Sequence, residues 1–513
     1  MEARSVMAKD TDLNGAKASR RDWIGLAVIA LPCILYSMDL TVLNLAVPQI
    51  AETLKPGSSA LLWIVDIYGF MVAGALITMG TLGDRIGRRR LLLIGAALFG
   101  ATSVLAAFST SSEMLIFARA LQGLAAGSMS PSTLSLIRNM FRDDAERSFA
   151  IGVWVACFSA GAAIGPLVGG VILAHYWWGA VFLINVPIML LLLALGPLLL
   201  PEFKDENAGR LDILSAAQSL VAVLAIIFGI KRIAEHGWGL LPAVSIGMGL
   251  LIGWLFFRRQ AVLADPLIDV RLFRMPGFTA ALSINVVAIF VVFGMFLFIA
   301  QYLQLVLGMG PLEAGIWTSP SGVAFALGSM AAPFLVRHFH PRTVITCGFL
   351  ISAVGFALLT QLSTAETPWL MFVGMMVFCL GLAPIGAITT DIVMTEAPPE
   401  RAGAASGISE TSFEFGGALG MAVLGSILTA IYRDVMAGEV LEGLPAASAD
   451  TAKDTLGGAV AMARELGGAG GEALLVTARA AFVHAFEVTA GLSAVGVILA
   501  AIVAALLLRK IAR

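Results

Sequence analysis

Carboxylates stand inside long apolar stretches of this 513-residue sequence, where an ionised side chain is costly. These acids are Asp39, Asp66, Asp391, Glu410 and Glu414, and the one obvious base in a similar setting is Arg119. A cavity lined by ionised carboxylates attracts organic cations and repels anions. Carboxyl groups surrounded by low dielectric and by like charges also bind protons more readily than they do in water. Because cations and protons would compete for the same acids, these six residues are our candidates for substrate binding and proton coupling.

Aromatic side chains occur at helical spacing from several of these acids. Glu410 and Glu414 are four residues apart and therefore lie on one face of a helix, and we expect at least one of them to bind substrate or protons. The aromatic candidates are Tyr36, Trp63, Phe70 and Phe413. The face of an aromatic ring attracts a desolvated cation by about 0.5–2 kcal/mol. The pattern therefore predicts a cavity lined by carboxylates and aromatic rings.

Each acid also has a structural interpretation, and the sequence leaves these alternatives open. The structural alternative for Asp39 is a hydrogen bond with Thr41 or with a neighbouring helix. The alternative for Asp66 is a position near the outer mouth of the cavity, where it attracts cations only weakly. Asp391 is suited to pairing with Arg119 or to capping a broken helix. Arg119 is equally suited to a purely structural ion pair, because an arginine at this depth costs about 2.5–3.5 kcal/mol and needs a partner.

The composition places these residues in a membrane. The chain is 59% hydrophobic and 13% charged, with a mean hydropathy of +0.92. A soluble domain has about 25% charged residues, so too little polar surface is present here to coat a globule. All four cysteines (Cys33, Cys157, Cys347 and Cys379) fall inside apolar runs, which favours buried thiols over disulfides or a metal site.

Apolar runs of span length predict an all-α integral membrane protein with fourteen transmembrane helices arranged as 6+2+6. The predicted units are a tail at 1–22, a six-helix bundle at 23–200, an inserted helix pair at 211–257, and a second six-helix bundle at 277–508 that includes a long outer loop at 433–480. For that loop we predict a helical hairpin with limbs near 446–466 and 470–485, and a gating role is an alternative to an inert surface position. A pathway-forming role for the inserted pair is also left open. Lys and Arg are concentrated in the segments that lie inside when the N-terminus is cytoplasmic, so both termini are predicted to face the cytoplasm.

The loop after the second span carries a dense polar motif. It reads Gly-Thr-Leu-Gly-Asp-Arg-Ile-Gly-Arg-Arg-Arg over residues 80–90, and its candidate latch residues are Gly83, Asp84, Arg85, Gly87 and Arg88. A glycine turn with one acid among arginines can join two helical bundles through charge-assisted hydrogen bonds. The alternative is an ordinary basic cytoplasmic loop. The matching segment of the second half, 333–342, has no acid and no glycine, so a symmetrical second latch is not expected.

The fifth span contains glycines at every fourth position. Gly161, Gly165 and Gly169 therefore lie on one helical face, and Pro166 removes a backbone hydrogen bond and favours a bend. Close approach of a second helix along this face is predicted, and a general packing seam is the alternative.

These motifs resemble those of the major facilitator superfamily. The 80–90 loop is similar to the signature loop of that superfamily, residues 118–123 (Ala-Arg-Ala-Leu-Gln-Gly) resemble its fourth-span motif, and residues 161–170 resemble the motif of its antiporter branch. Residues 38–48, with further patterns at 63–68 and 182–187, look like those of the fourteen-span drug:proton antiporters of the Qac type. The resemblance implies an association of Arg119 with proton coupling, and it makes Asp39 and the thirteenth-span acids the best site candidates.

The resemblance implies a proton-coupled exporter of lipophilic mono- and dications, such as quaternary ammonium antiseptics and dyes, that works by alternating access. We expect organic cations, protons and membrane lipid as its partners, a bacterial cytoplasmic membrane as its location, and activity as a monomer. No nucleic-acid partner, cofactor or enzymatic activity is expected, because the proton gradient supplies the energy and no P-loop, metal cluster or nucleophile–base pair is evident. The alternatives are a proton-coupled exporter of a specific neutral or endogenous metabolite and a non-transporting receptor or scaffold.

Overall fold

Long apolar helices form almost all of the chain in this computed structural model. The structure describes residues 17–204, 212–263, 266–364, 367–397, 402–438 and 446–510, and no strand occurs in these ranges. Most of the predicted tail at 1–22 and the segment 439–445 of the predicted outer loop lie outside the described residues.

Seventeen α-helices occur in these described ranges and are numbered here in chain order. They are α1 Arg20–Leu54, α2 Ser58–Ile86, α3 Arg88–Ala107, α4 Ser112–Met140, α5 Asp144–His175, α6 Ala180–Leu183, α7 Asn185–Leu199, α8 Ile213–His236, α9 Leu240–Gln260, α10 Pro276–Gln301, α11 Pro311–His338, α12 Pro341–Leu359, α13 Trp369–Glu396, α14 Ala402–Ala437, α15 Ala446–Asp454, α16 Leu456–Leu466 and α17 Gly468–Leu507. A π-helical turn, Tyr302–Val306, continues α10.

Thirteen helical segments in the described ranges are long and apolar enough to cross a membrane. The short α6 and the following α7 together form one of them, Ala180–Leu199. Helix α4 is outside this set but is 29 residues long, which corresponds to about 43 Å of helix. The fold is therefore that of an all-helical, multi-pass membrane protein.

Close backbone contacts define how the helices pack. An ideal Cβ atom at Gly165 of α5 would lie 2.1 Å from Thr41 Oγ1 of α1, so only glycine fits this approach. On the opposite side of α5, the Ser319 hydroxyl of α11 donates a 2.6 Å hydrogen bond to the Ala163 carbonyl. Helix α5 is therefore held between α1, from the first half of the chain, and α11, from the second half.

Helix α8 lies in a groove formed by α2 and α14. Phe70 of α2, Ile227 of α8, and Ala418 and Ala422 of α14 form a small buried apolar cluster. At the beginning of α8, the Asp212 carboxylate accepts hydrogen bonds from the backbone of Ser215 and from the guanidinium of Arg259. Because Arg259 is in the last turn of α9, these hydrogen bonds join the end of α9 to the start of α8.

The two ends of the helical array differ in their charge and in whether short helices lie over them. The basic end is defined here by the connection between α2 and α3, residues 84–90, and the hairpin end by the short helices α15 and α16. At the hairpin end, Lys55 pairs with Glu465 at 2.6 Å, and Arg464 pairs with Glu52. These ion pairs attach α16 to the last turn of α1 and to the residue that follows it.

The hairpin limb predicted at 470–485 is part of the last long helix instead. Gly467 and Gly468 have φ angles of 62° and 54° and make the turn after α16. The chain after this turn is rich in alanine and leucine and contains no proline, so α17 continues unbroken to Leu507. The short pair α15 and α16 is therefore the helical structure that covers this end.

Candidate functional site

Asp39 and Arg119 form a buried ion pair between α1 and α4. Arg119 Nη1 lies 2.5 Å from Asp39 Oδ2, and the side-chain exposures are 0% and 4%. Arg119 also donates to Gln122 Oε1 at 3.1 Å, and the Gln122 amide donates to Ser103 Oγ at 2.8 Å. Asn185, the first residue of α7, lies with its amide nitrogen 3.5 Å from the second Asp39 oxygen. Four helices thus contribute to one polar network around this pair.

Two aromatic rings complete the surroundings of Arg119. Its guanidinium carbon lies 4.4 Å from the centre of the Tyr68 ring and 5.7 Å from that of Phe182. Its Nε and Nη2 atoms are buried without a hydrogen-bond partner. The rings stabilise the cation but accept no conventional hydrogen bond, so Asp39 is the main compensation for the Arg119 charge.

A second buried ion pair joins α2 to α8, and sequence reasoning missed its base. Lys231 Nζ lies 2.9 Å from Asp66 Oδ1 and 2.8 Å from Oδ2. Lys231 is 2% exposed and Asp66 is 0% exposed. Arg119 is therefore not the only base within the helical array. The signal in the sequence is a lysine directly after an apolar run, a position that is also typical of a loop at the membrane surface.

Lys231 lies against the face of α2 that carries Trp63 and Asp66, two of the residues predicted to line the cavity. Its ammonium nitrogen is 3.8 Å from the centre of the Trp63 ring, a cation–π contact in addition to the Asp66 pair. Phe70, on the same face, is 1% exposed and lies in the apolar cluster beneath α8. In this structure, Trp63, Asp66 and Phe70 thus face the inserted helix pair.

Glu410 and Glu414 lie in the N-terminal part of α14, and both are half-buried. Within the described ranges neither has a cation within 4.0 Å. Glu414 interacts with the side chain of Tyr36 on α1, and Glu410 interacts electrostatically with Arg138 on α4. These two carboxylates therefore differ from Asp39 and Asp66, because each of the latter already has its own buried base.

Aromatic residues lie beside this pair of acids. Tyr36 packs against Tyr68, with ring centres 6.1 Å apart, and against Phe158 at 5.7 Å. Phe413 contacts Phe293 of α10 edge-on, with ring centres 5.9 Å apart. Tyr36 thus lies between the ring that covers Arg119 and the Glu414 carboxylate. The name central site is used below for Tyr36, Glu410, Phe413 and Glu414.

Asp391 lies apart from both ion pairs. It is exposed on α13, which continues without a break to Glu396. Arg119 pairs with Asp39, so the alternative of an Asp391–Arg119 pair does not occur in this structure. The alternative of a cap for a broken helix does not apply either, because the helix is continuous there.

The latch motif forms its ion pairs with neighbouring residues. Asp84, near the end of α2, and Arg88, the first residue of α3, pair at 2.6 Å, and Gly83 leaves room for the Arg88 side chain, because a Cβ there would lie 3.1 Å from Arg88 Cδ. Gly87 has a φ angle of 110°. Glu202, which sequence reasoning did not single out, accepts a hydrogen bond from the Arg89 backbone at 3.0 Å.

These latch contacts all join parts of the first half of the chain. A Cβ at Gly87 would lie 2.5 Å from Glu202 Oε1, so glycine is required both by its φ angle and by this close approach. Arg85, the remaining predicted latch residue, is exposed. The predicted junction between two bundles stays a prediction.

The glycine face of α5 packs on the turns of α1 that carry Asp39. Ideal Cβ atoms at Gly161 and Gly169 would lie 2.3 Å from the Ile34 carbonyl and 2.8 Å from Val42 Cγ1. Pro166 is on the other side, where a Cβ at Gly315 of α11 would lie 2.3 Å from its carbonyl oxygen. The motif therefore brings α5 close to the backbone around Asp39 on one face and to α11 on the other.

Comparison with known proteins gives one family. The sequence model of the Major Facilitator Superfamily matches residues 29–421. The chain is 42% identical to the multidrug efflux pump LfrA of Mycolicibacterium smegmatis, covering 96% of this chain and 97% of that protein. It is 36% identical to the methyl viologen resistance protein SmvA of Salmonella typhimurium, covering 91% and 94%. It is 32% identical to the tetracenomycin C resistance and export protein of Streptomyces glaucescens, covering 81% and 77%.

A solved structure shares the fold at low sequence identity. A bacterial homologue of the human lysosomal transporter Spinster, crystallised in an inward-facing and unoccupied conformation, superposes with a TM-score of 0.66. The identity is 19%, and the alignment covers 96% of this chain and 98% of the other. This likeness concerns the arrangement of helices only.

Proposed function

We propose that this chain, which belongs to the major facilitator superfamily, is a proton-coupled multidrug efflux transporter that exports lipophilic monocations and dications by alternating access. The observation that carries the proposal is the pair of half-buried acids Glu410 and Glu414, which lack an ion-pair partner in the described ranges and lie beside Tyr36 and Phe413. Quaternary ammonium antiseptics and dyes have the charge and the aromatic or aliphatic surface that such a site binds. The names of the relatives support an efflux function for this chain.

Competition between protons and cations at the central site supplies the coupling. When Glu410 and Glu414 are ionised, a lipophilic cation is held by charge attraction and by ring faces worth about 0.5–2 kcal/mol each. When protons bind on the outer side, the charge attraction is lost and the cation dissociates. Deprotonation on the inner side restores the site for the next cation. The membrane proton gradient is the energy source, with no cofactor.

We propose that the Asp39–Arg119 pair couples the occupancy of the central site to movement of the first half of the chain. Tyr36, three residues before Asp39 on α1, packs near the ring over Arg119 and interacts electrostatically with the Glu414 side chain. A change of charge at Glu414 therefore acts directly on the residues that surround Arg119. Asp84 and Arg88, at the basic end, would then respond to the resulting movement of α2 and α3.

The proposed architecture has fourteen spans, with α4 completing the thirteen that length and composition indicate. Two six-helix bundles surround the central site, and the pair α8 and α9 is inserted between them in the chain. Both termini are proposed to face the cytoplasm of a bacterial cell, and the protein is proposed to act as a monomer. Substrate would bind near the middle of the membrane, as in other transporters built from repeated bundles.

The test is cation-driven proton movement in inverted membrane vesicles with an imposed pH gradient. A lipophilic monocation or dication is added to vesicles that contain wild type, Glu410→Gln, Glu414→Gln or Asp39→Asn. The matched control is Glu113→Gln, which removes an exposed carboxylate at the start of α4. The cation should dissipate the gradient with wild type and with the control, but at least tenfold more slowly with the Glu410 and Glu414 variants.

The outcomes separate the rival functions. If the α14 variants match wild type, the central site is wrong although a transporter remains. If neutral solutes but no cations move protons, the chain exports a neutral metabolite instead. If cations bind to purified protein but neither cations nor protons move, a receptor or scaffold is the better description.

A further inference from the structure

A crevice of about 430 Å³ opens at the basic end between the start of α12 and the end of α17. It is lined by His340, Arg342, Thr343, Thr346, Cys347, Ala505 and Arg509. No acid is among these residues, and none of them belongs to the central site or to the buried ion pairs. Cys347 is exposed here, which corrects the expectation that all four cysteines are buried.

The crevice carries positive charge that no acid of the described residues compensates. In the described ranges neither Arg342 nor Arg509 has a carboxylate within 4.0 Å, whereas Arg88 and Arg119 do. The first turns of α12 form one wall, so the positive end of its helix dipole adds to the potential. The buried Thr346 hydroxyl oxygen has no hydrogen-bond partner within the protein. The two guanidinium groups and the start of α12 together can bind an oxyanion.

Apolar surface continues from the crevice along both helices. Leu350 and Val354 of α12 are 46% and 57% exposed, and Val503 and Leu506 of α17 are 49% and 64% exposed. In a membrane protein, such faces lie against lipid acyl chains. A ligand that fits both parts has an anionic head and apolar tails.

We propose that this crevice binds the headgroup of an anionic phospholipid, with its phosphate held by Arg342 and Arg509 and its acyl chains along α12 and α17. Guanidinium groups match phosphate geometry through paired hydrogen bonds. The volume suits a headgroup, since small-ligand sites measure about 300–1,000 Å³. Basic pockets between transmembrane helices are a known setting for anionic headgroups. This inference does not depend on the transported substrate.

The chain offers a matched control at the same end. Arg258, in the last turn of α9, is exposed, contacts the Trp254 ring and lies outside the crevice. Its removal lowers the positive charge by the same amount as removal of one crevice arginine. A loss of lipid specific to the crevice variants therefore separates a built site from general attraction to a charged membrane surface.

The experiment counts phospholipids bound to the purified full-length protein by native mass spectrometry after exchange into phosphatidylglycerol or phosphatidylcholine. Arg342→Gln, Arg509→Gln and Arg258→Gln are compared with wild type, each checked for a single symmetrical peak in size-exclusion chromatography. Wild type should retain phosphatidylglycerol in preference to phosphatidylcholine, and each crevice variant should retain it about fivefold less, since one base near a lipid surface contributes about 1 kcal/mol.

Four results would overturn the proposal. They are equal retention of the two lipids by wild type, unchanged retention in both crevice variants, an equal loss in Arg258→Gln, and displacement of the lipid by millimolar inorganic phosphate. The last result would mean that the crevice binds free phosphate and that the acyl chains contribute nothing.

Discussion

Asp39 and Asp66 each lie against a buried base, whereas Glu410 and Glu414 have no such partner in the described ranges. A substitution at a paired acid leaves a buried cation without compensation, and breaking a buried pair of this kind costs about 3–5 kcal/mol. A substitution at Glu410 or Glu414 removes a charge without leaving such an uncompensated base. Loss of transport at a paired acid therefore needs a stability measurement beside it before a direct role is assigned.

Lys231→Met is predicted to destabilise the protein by about 3–5 kcal/mol, because it leaves Asp66 buried without its base. The double variant Lys231→Met/Asp66→Asn should recover most of that loss, since neither remaining side chain carries a charge. Thermal unfolding of the purified protein in detergent measures both effects. Arg258→Met, at an exposed base on α9, is the control and should match wild type. If the double variant is no more stable than Lys231→Met, the pair is not the source of the effect.

The acids of the candidate site could be chosen from the sequence, but their pairing could not. A carboxylate inside an apolar run is visible without a structure, because membrane insertion makes it rare. The partners depend on helix ends and on helix neighbours. Lys231 is the clearest example, since α8 continues to His236 and carries Lys231 into the array opposite Asp66. Similarly, Glu202 is distant in sequence from the loop that it joins.

At the scale of helices, α5 is one of the elements that bring the two halves of the chain together. Its glycine face is packed against α1, and its other side contacts α11. The sequence motif predicted close approach along this face, and the spacing of four residues was sufficient for that purpose. The identity of the partner helix could not be derived, because glycine spacing describes one surface only.

Gly165→Ala is predicted to destabilise the protein and to lower transport, because the added Cβ would lie 2.1 Å from Thr41 Oγ1. Gly152→Ala on the same helix is the matched control, since nothing lies within 4 Å of the added atom. Alanine is favoured over glycine inside a helix by about 0.5–1 kcal/mol, so the control should be neutral or slightly stabilised. Thermal unfolding and cation-driven proton flux are measured for both. Equal stability of the two variants would contradict the tight α1–α5 contact.

The hydrogen bonds of Asp212 at the beginning of α8 lead to a prediction about how the stability of the protein depends on pH. Burial acts in the opposite direction, but hydrogen bonds from Ser215 and Arg259 outweigh it and hold the pKa of Asp212 below its ordinary value. A carboxyl group with a lowered folded-state pKa stabilises the protein above its unfolded-state pKa, and this contribution is lost as the pH falls through the folded-state value. Asp212→Asn should therefore be less stable than wild type at pH 7, with the difference closing below about pH 4.

The control for this pH dependence is Ser215→Ala. It removes a hydrogen-bond partner of Asp212 but no titratable group. Because the Ser215 hydroxyl is one cause of the lowered pKa of Asp212, the stability difference between Ser215→Ala and wild type should also shrink in part as the pH falls. A constant stability difference between wild type and Asp212→Asn from pH 7 to pH 3 would show that the Asp212 charge makes no contribution.

At the scale of the whole molecule, residues at both ends of α9 are exposed, so labelling them tests the orientation of the protein in the membrane. Trp238, before α9, is 82% exposed, and Val262, after it, is 86% exposed. With the basic end in the cytoplasm, a cysteine at position 238 should react with a membrane-impermeant thiol reagent in intact cells. A cysteine at position 262 should react only after permeabilisation. Both are made in a background without native cysteines, and the reverse pattern would invert the proposed topology.

The helical class and the approximate span positions were accessible from hydropathy, because length and apolar composition largely decide whether a helix crosses a membrane. The short helices at the hairpin end could be predicted from the sequence only in part. The turn at Gly467 and Gly468 separates α16 from α17, whereas the later residues 470–485 continue directly into the last span. A helical composition alone does not show where one helix stops being a surface element and becomes a span.

The two buried ion pairs also determine how the transporter would respond to the membrane potential. Moving one elementary charge through 100 mV involves about 2.3 kcal/mol, but a carboxylate and its base that move together carry no net charge. Movements of α1 and α2 with their partners would therefore do almost no electrical work. The voltage would act on the α14 carboxylates and on the ions that neutralise them. Exchange of one proton for one monocation would then be insensitive to voltage, and any measured voltage dependence would report a different exchange ratio.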